Sequence, residues 1–198
     1  MKIIINNKHD SSINKTEFLL TNALLNLLRT NVFSNITVND LCIEAMVSRS
    51  SFYKHFEDKY SLLRFCLNAM NNERIDMLTG KSINEYTQIM LEQIKSNISV
   101  YKNIMLSGLK GELMEIILSP HIINIKNAII NHLNDARLNS IPVEITAFYH
   151  AAGFVDTILL WIEQNMPYSV KDMSDYLTAL LPPSIQDITL PFKAGDTN

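Results

Sequence analysis

TVNDLCIEAMVSRSSFYKHFEDKYSLL, residues 37–63, is the stretch on which the reading of this chain turns. Thr37-Val-Asn-Asp40 has the Thr-x-x-acid arrangement of a capping box. The hydroxyl accepts from an orphan backbone N–H, and the acid favours the positive end of the helix that follows. That helix runs to about Ala45. After Met46-Val47-Ser48, Ser48 caps a second short helix. Two helices separated by about three residues cross steeply. Leu41, Cys42 and Ala45 on the first, and Val47, Phe52 and Phe56 around the second, supply a small core.

The stripe that closes this core lies upstream. Leu20, Ala23, Leu24, Leu27 and Leu28 recur at helical spacing in a segment near 14–30, which reads as an amphipathic helix. Three helices in this order are a helix-turn-helix domain. With Phe52 and Phe56 turned inward by their i, i+4 relation, Arg49, Ser50, Tyr53 and Lys54 point outward. This set suits a DNA major groove. Arg bonds a guanine edge through two N–H groups, Ser allows close approach, and Tyr, Lys and His reach phosphates. A Tyr-Lys-His-Phe run alone would describe any helix packed through its aromatics. The cap, the turn and Ser48 in front of it make the reading specific.

Val47-SRSSFYKHFEDKYSL-Leu63 resembles the TetR family of bacterial transcription regulators, whose recognition segment reads V-S-x-x-x-[LF]-Y-x-H-F-x-[DSN]-K-x-x-L. The resemblance covers residues 14–63. It implies that Arg49, Ser50 and Ser51 lie nearest the bases, that Thr37, Tyr53, His55 and Lys59 hold backbone phosphates, and that Lys54 serves either purpose. One departure is Met46, where many relatives have Gly. A left-handed Met there would be strained by roughly 1 kcal/mol. A second reading is a helical co-regulator that meets a protein partner through the same face without binding DNA.

At 198 residues, 47% apolar and 19% charged, the chain has the composition of a folded soluble protein. No apolar run in the sequence reaches the roughly 18 residues of a membrane span, so no membrane association is expected. MKIIINNKHDSSINK is too short in its apolar part for a signal peptide, and the expected location is the cytoplasm. The net charge of −3 divides into +1 for residues 1–60, with seven Lys/Arg against six Asp/Glu, and −4 for the remainder, with ten against fourteen. Phosphate affinity depends on local charge, so this balance does not exclude DNA. Cys42 and Cys66 lie among apolar neighbours and read as buried free thiols. His121, His132 and His150 have no metal-ligand spacing. Neither a phosphate loop nor a nucleophile elbow occurs, so no enzyme and no cofactor is expected.

Beyond residue 60, helices are expected over 58–78, 82–97, 98–107, 110–138 with a bend at Pro120, 142–165 and 170–181. No segment alternates with period two, so the expected fold is all-α, with about nine helices. Residues 1–60 form the arm and the DNA-binding domain, and 61–198 a larger helical regulatory and dimerisation domain. Gly153-FVDTILLWIEQNMPYSVKDMSDYL resembles the last two helices of a TetR subgroup. That layout implies a homodimer built on a four-helix bundle, with Val155, Ile158, Leu159, Ile162, Tyr176, Leu177 and Leu180 as candidates for the interface. Met90, Met105, Met114, Tyr86, Tyr101, Phe148 and Phe154 are available to line a cavity for a small apolar or aromatic effector. The effector-binding residues themselves are not identified. The resulting expectation is a dimeric regulator of double-stranded DNA that reads a palindromic operator, in the family's commoner mode a repressor, and is modulated by an effector.

Overall fold

The computed structural model of the chain describes residues 14–75, 81–131, 141–182 and 186. The described residues form nine α-helices and one 3-10 turn, with no β-strand. The helices are α1 Lys15–Leu28, α2 Val38–Ala45, α3 Arg49–His55, α4 Lys59–Ile75, α5 Ile83–Ser96, α6 Ile98–Met105, α7 Lys110–Asn131, α8 Val143–Glu163 and α9 Val170–Ala179. The 3-10 turn, Phe33–Asn35, lies between α1 and α2.

Short polar motifs start several of these helices. Asn14 caps α1, accepting from the N–H of Thr16 at 2.9 Å while Glu17 accepts from the N–H of Asn14 at 3.0 Å. Ser82 and Glu85 repeat the pattern before α5, and Ser169 accepts from the N–H of Asp172 before α9. Each satisfies donors that the first helical turn leaves unpaired. Prolines and left-handed residues mark the other boundaries. Pro142 stands just before α8, Asn165 and Met166 at positive φ end it, and Pro167 follows. The indole N–H of Trp161 donates to the Tyr168 carbonyl at 3.1 Å and closes that turn. α7 continues through Pro120 as one helix. The expected continuation to 138, and His132, lie outside the described residues.

The chain forms two compact units. Of the described residues, the first takes those up to Glu73 together with Ser96–Leu113, and the second takes those from Arg74 to Lys95 together with those from Met114 onward. In the first, Leu20, Ala23, Leu24, Leu25 and Leu28 of α1 pack with Leu41, Cys42, Ala45, Phe52 and Phe56, all buried. Leu27 is only half-buried, and Leu25 takes the inner position instead. α6 belongs to this unit, although it stands far along the chain. Its Asn103 side chain donates to the Leu28 carbonyl at 2.8 Å, and Ser107 accepts from the N–H of Ser34 in the 3-10 turn at 2.9 Å. Cys42 and Cys66 are buried and unpaired, and burial pushes both thiols above their ordinary pKa.

The second unit packs Ile83, Ile125, Ile129, Ala147, Ala151 and Leu181 into one cluster. His121 is buried between Tyr86 and Phe154, with ring centroids at 5.8 and 4.8 Å. Asn84 on α5 donates to Asp175 at 3.0 Å and to Thr178 at 3.3 Å on α9. α8 corrects one expectation, because its 21 residues, with a mean hydropathy of 1.4 over the best window, are long and apolar enough to cross a bilayer. Nine of them, Phe154 and Trp161 included, are buried in the protein.

The candidates for the interface divide between inside and outside. Val155, Ile158, Leu159, Ile162 and Leu177 are buried inside the second unit, whereas Tyr176 and Leu180 are exposed. The apolar side chains on the outside of α8 and α9 are Ile145, Phe148, Tyr149, Leu160, Tyr176 and Leu180. An open groove of about 830 Å³ is lined by Ile145, Phe148, Tyr149 and Leu180 of this set, together with Phe154, Leu177 and Leu181. His150 borders it, and burial holds that imidazole below its ordinary pKa. The expected cavity lining is divided, with Tyr101 and Met105 in the first unit and Tyr86, Met90, Met114, Phe148 and Phe154 in the second.

Candidate nucleic-acid interface

Two caps and one left-handed residue build the helix-turn-helix. The Thr37 hydroxyl accepts from the N–H of Asp40 at 3.2 Å and donates to the Asp40 carboxylate at 2.7 Å, which in turn accepts from the N–H of Thr37 at 2.9 Å. These bonds hold the Asp40 carboxyl below its ordinary pKa. α2 ends at Met46, whose φ of 54° and ψ of 42° are left-handed. This is the conformation that glycine adopts without cost. The Met46 side chain is 93% exposed, so no packing compensates for the strain. Ser48 then accepts from the N–H of Ser51 at 3.1 Å and starts α3.

α3 has only seven residues, and its inner face determines its position. Phe52 is fully buried and touches Phe56 at 5.9 Å, and Phe56 meets Phe65 of α4 edge-on at 5.4 Å. Burying a phenylalanine of this kind contributes roughly 1.5–3 kcal/mol. The opposite face carries Arg49, Ser50, Tyr53 and Lys54, all exposed. The Tyr53 ring stands edge-on to Phe52 at 5.3 Å, which fixes its direction while its hydroxyl end stays in solvent. Spacing in the sequence places these four together, and the structure does the same.

The remaining expected contacts are held differently. Ser51 is half-buried, and its hydroxyl bonds with that of Ser48 at 2.9 Å. Ser50 shares the same Ser48 hydroxyl at 2.9 Å. His55, also half-buried, places Nδ1 3.1 Å from the Glu17 carboxylate of α1. Lys59 departs from the expectation of a phosphate contact. Its ammonium donates to the carbonyls of Phe33, Ser34 and Ile36 at 3.0, 3.0 and 2.7 Å and lies 4.8 Å from the Phe33 ring centroid. An ammonium has three N–H donors, and all three are occupied here. Burial also draws the Lys59 pKa below its usual value. Lys59 therefore ties the start of α4 to the connector that leads into α2.

Glu17 and Asn103 are the side chains that motif reading did not find. Asn14-x-x-Glu17 is itself a capping signal, so the carboxylate was visible in the sequence, but its partner 38 residues away was not. Among the described residues no cluster of three or more His, Cys, Asp or Glu is placed to hold a metal ion.

Similarity to known proteins points the same way as this geometry. A family described as the C-terminal region of transcriptional regulators, TetR_C_8, matches residues 81–182. The fold is similar to that of a TetR transcriptional regulator from Streptococcus agalactiae, at 24% identity and a TM-score of 0.64 over 82% of this chain and 91% of the other. It is also similar to the dihydroxyacetone kinase operon activator DhaS, at 18% identity and a TM-score of 0.62 over 86% of this chain and 96% of the other. No curated protein sequence matches the chain. The family match spans more than half the residues and the fold over most of the chain agrees with it, so the chain belongs to the TetR family of transcription regulators.

Proposed function

We propose that the protein is a cytoplasmic repressor that binds a palindromic operator as a homodimer, with the outer face of α3 in the major groove. The observation that carries this reading is the two-sided character of α3. Phe52 and Phe56 are buried in the head while Arg49, Ser50, Tyr53 and Lys54 stand exposed on the other side. Arg49 and Ser50 meet base edges, Tyr53, Lys54 and His55 meet phosphates, and Ser51 supports the cap. Thr37 and Lys59 shape the head that presents them.

A palindrome needs two heads related by a two-fold axis. The exposed apolar side chains of α8 and α9, Phe148, Leu160 and Leu180 among them, are of the kind such a dimer buries. A small apolar or aromatic effector that binds the second unit would shift DNA affinity by linkage. The test is a mobility shift on duplex DNA from upstream of the protein's own gene at rising salt. The proposal predicts tight binding that weakens steeply with salt. Co-purification with a protein partner, and no salt-dependent affinity for any duplex, would establish the co-regulator reading instead.

A further inference from the structure

The His55–Glu17 contact joins the last residue of α3 to the first turn of α1. An ionised carboxylate only accepts hydrogen bonds, so the Nδ1 atom 3.1 Å from Glu17 Oε1 carries the proton. In the neutral ring this leaves Nε2 as a lone pair. A phosphate oxygen has no proton to offer it, and the two repel. In the imidazolium both nitrogens donate, Nδ1 to Glu17 and Nε2 to a phosphate.

We infer that Glu17 is a positioning residue for DNA binding. It fixes the Nδ1–H form of His55, so that His55 holds a phosphate only as the imidazolium and duplex binding takes up a proton at each recognition helix. This rests on the DNA reading of α3 given above.

The surrounding charges leave Glu17 as the partner of the ring. On α1 the other charged residue is Lys15, which is exposed. On α2, Asp40 is held by Thr37, and Glu44 accepts from Asn26 at 3.2 Å. On α4, Lys59 is occupied by its three carbonyls and Arg64 is exposed. Arg49 and Lys54 on α3 itself are exposed, as is Glu57, while the Asp58 carboxylate accepts from the N–H of Ser61 at 2.7 Å. Glu17 serves two purposes through two oxygens. Oε2 completes the α1 capping box with the Asn14 N–H, and Oε1 receives His55. Gln completes such a box equally well, so Glu17→Gln removes the charge and keeps the cap.

The experiment measures the affinity of the full-length protein for the same upstream duplex by fluorescence anisotropy. Salt is held constant across about pH 6 to 8, the range in which imidazole changes charge. Wild-type binding should weaken as pH rises, by up to about tenfold per pH unit for each proton taken up. His55→Gln should bind at pH 6 as weakly as the wild type does at pH 8, and His55→Arg should bind tightly with a flat profile. Glu17→Gln, with unchanged circular dichroism, should flatten the wild-type profile, because its side-chain amide donates to Nδ1 and the neutral ring then holds the phosphate through Nε2–H. In nitrogen-detected NMR spectra of the free variant it should also move the His55 proton from Nδ1 toward Nε2. Parallel pH profiles for wild type and His55→Gln, or an unchanged profile and ring form in Glu17→Gln, would overturn the inference. Absence of salt-dependent duplex binding by the wild type would overturn the DNA reading beneath it.

Discussion

The head and the α8–α9 sector each bury an apolar stripe, yet they turn opposite chemistry to solvent. On α3 the outer residues are Arg49, Ser50, Tyr53 and Lys54, and on α8 and α9 they are Ile145, Phe148, Tyr149, Leu160 and Leu180. A polar, cationic face is well solvated alone and gains by meeting a polyanion. A run of exposed aliphatic and aromatic side chains gains by meeting another apolar surface. The first face suits the nucleic acid proposed for it and the second suits an apolar partner such as a second subunit.

Substitutions on either side of this division separate the two roles, the largest effect coming from the head core. Phe52→Ala empties the space beneath the recognition face and should cost about 3–5 kcal/mol in denaturant unfolding. The same substitution should abolish duplex binding without touching any outward residue. On the other side, Leu180→Glu places a charge in the exposed apolar face. It should weaken self-association by at least ~2 kcal/mol, about 30-fold, in sedimentation equilibrium, with helix content unchanged. A dimer that survives this substitution would assign the face to another partner.

Lys59→Met leaves three carbonyls without their donor and should cost about 1–2 kcal/mol of stability. If Lys59 were instead a phosphate ligand, stability would hold and the salt dependence of duplex binding would lose about one unit of slope. The smallest effect has the opposite sign. Met46→Gly relieves a left-handed residue whose side chain contacts little, and should raise stability by about 0.5–1 kcal/mol while leaving duplex affinity near that of the wild type.

The head was legible because its information is local. Thr37-x-x-Asp40, the three-residue turn, Ser48 and the Phe52–Phe56 spacing each specify a neighbour within one or two turns, and the structure places all of them as read. The contacts that were missed are long-range. His55 meets Glu17 across 38 residues, Lys59 reaches back to Phe33, and α6 returns to the head through Asn103. Nothing local marks such pairs.

Which apolar residues of α8 turn outward was not legible for a different reason. α8 is apolar on both faces, so neighbours such as buried Leu159 and exposed Leu160 are alike in periodicity. Only packing decides which of them turns inward. Sequence similarity to the family nevertheless falls in this region, over residues 81–182. A pattern spread over many positions carries information there that no single motif does.

The most direct test of the account is the affinity of Arg49→Ala/Tyr53→Ala for upstream duplex DNA at low salt, beside that of the wild type. Both positions are exposed, so the fold should be unaffected. The loss of one base contact and one phosphate contact should weaken binding about 100-fold or more. A wild-type protein that binds the duplex no more tightly than this double variant would contradict the assignment of α3 as the DNA-reading helix.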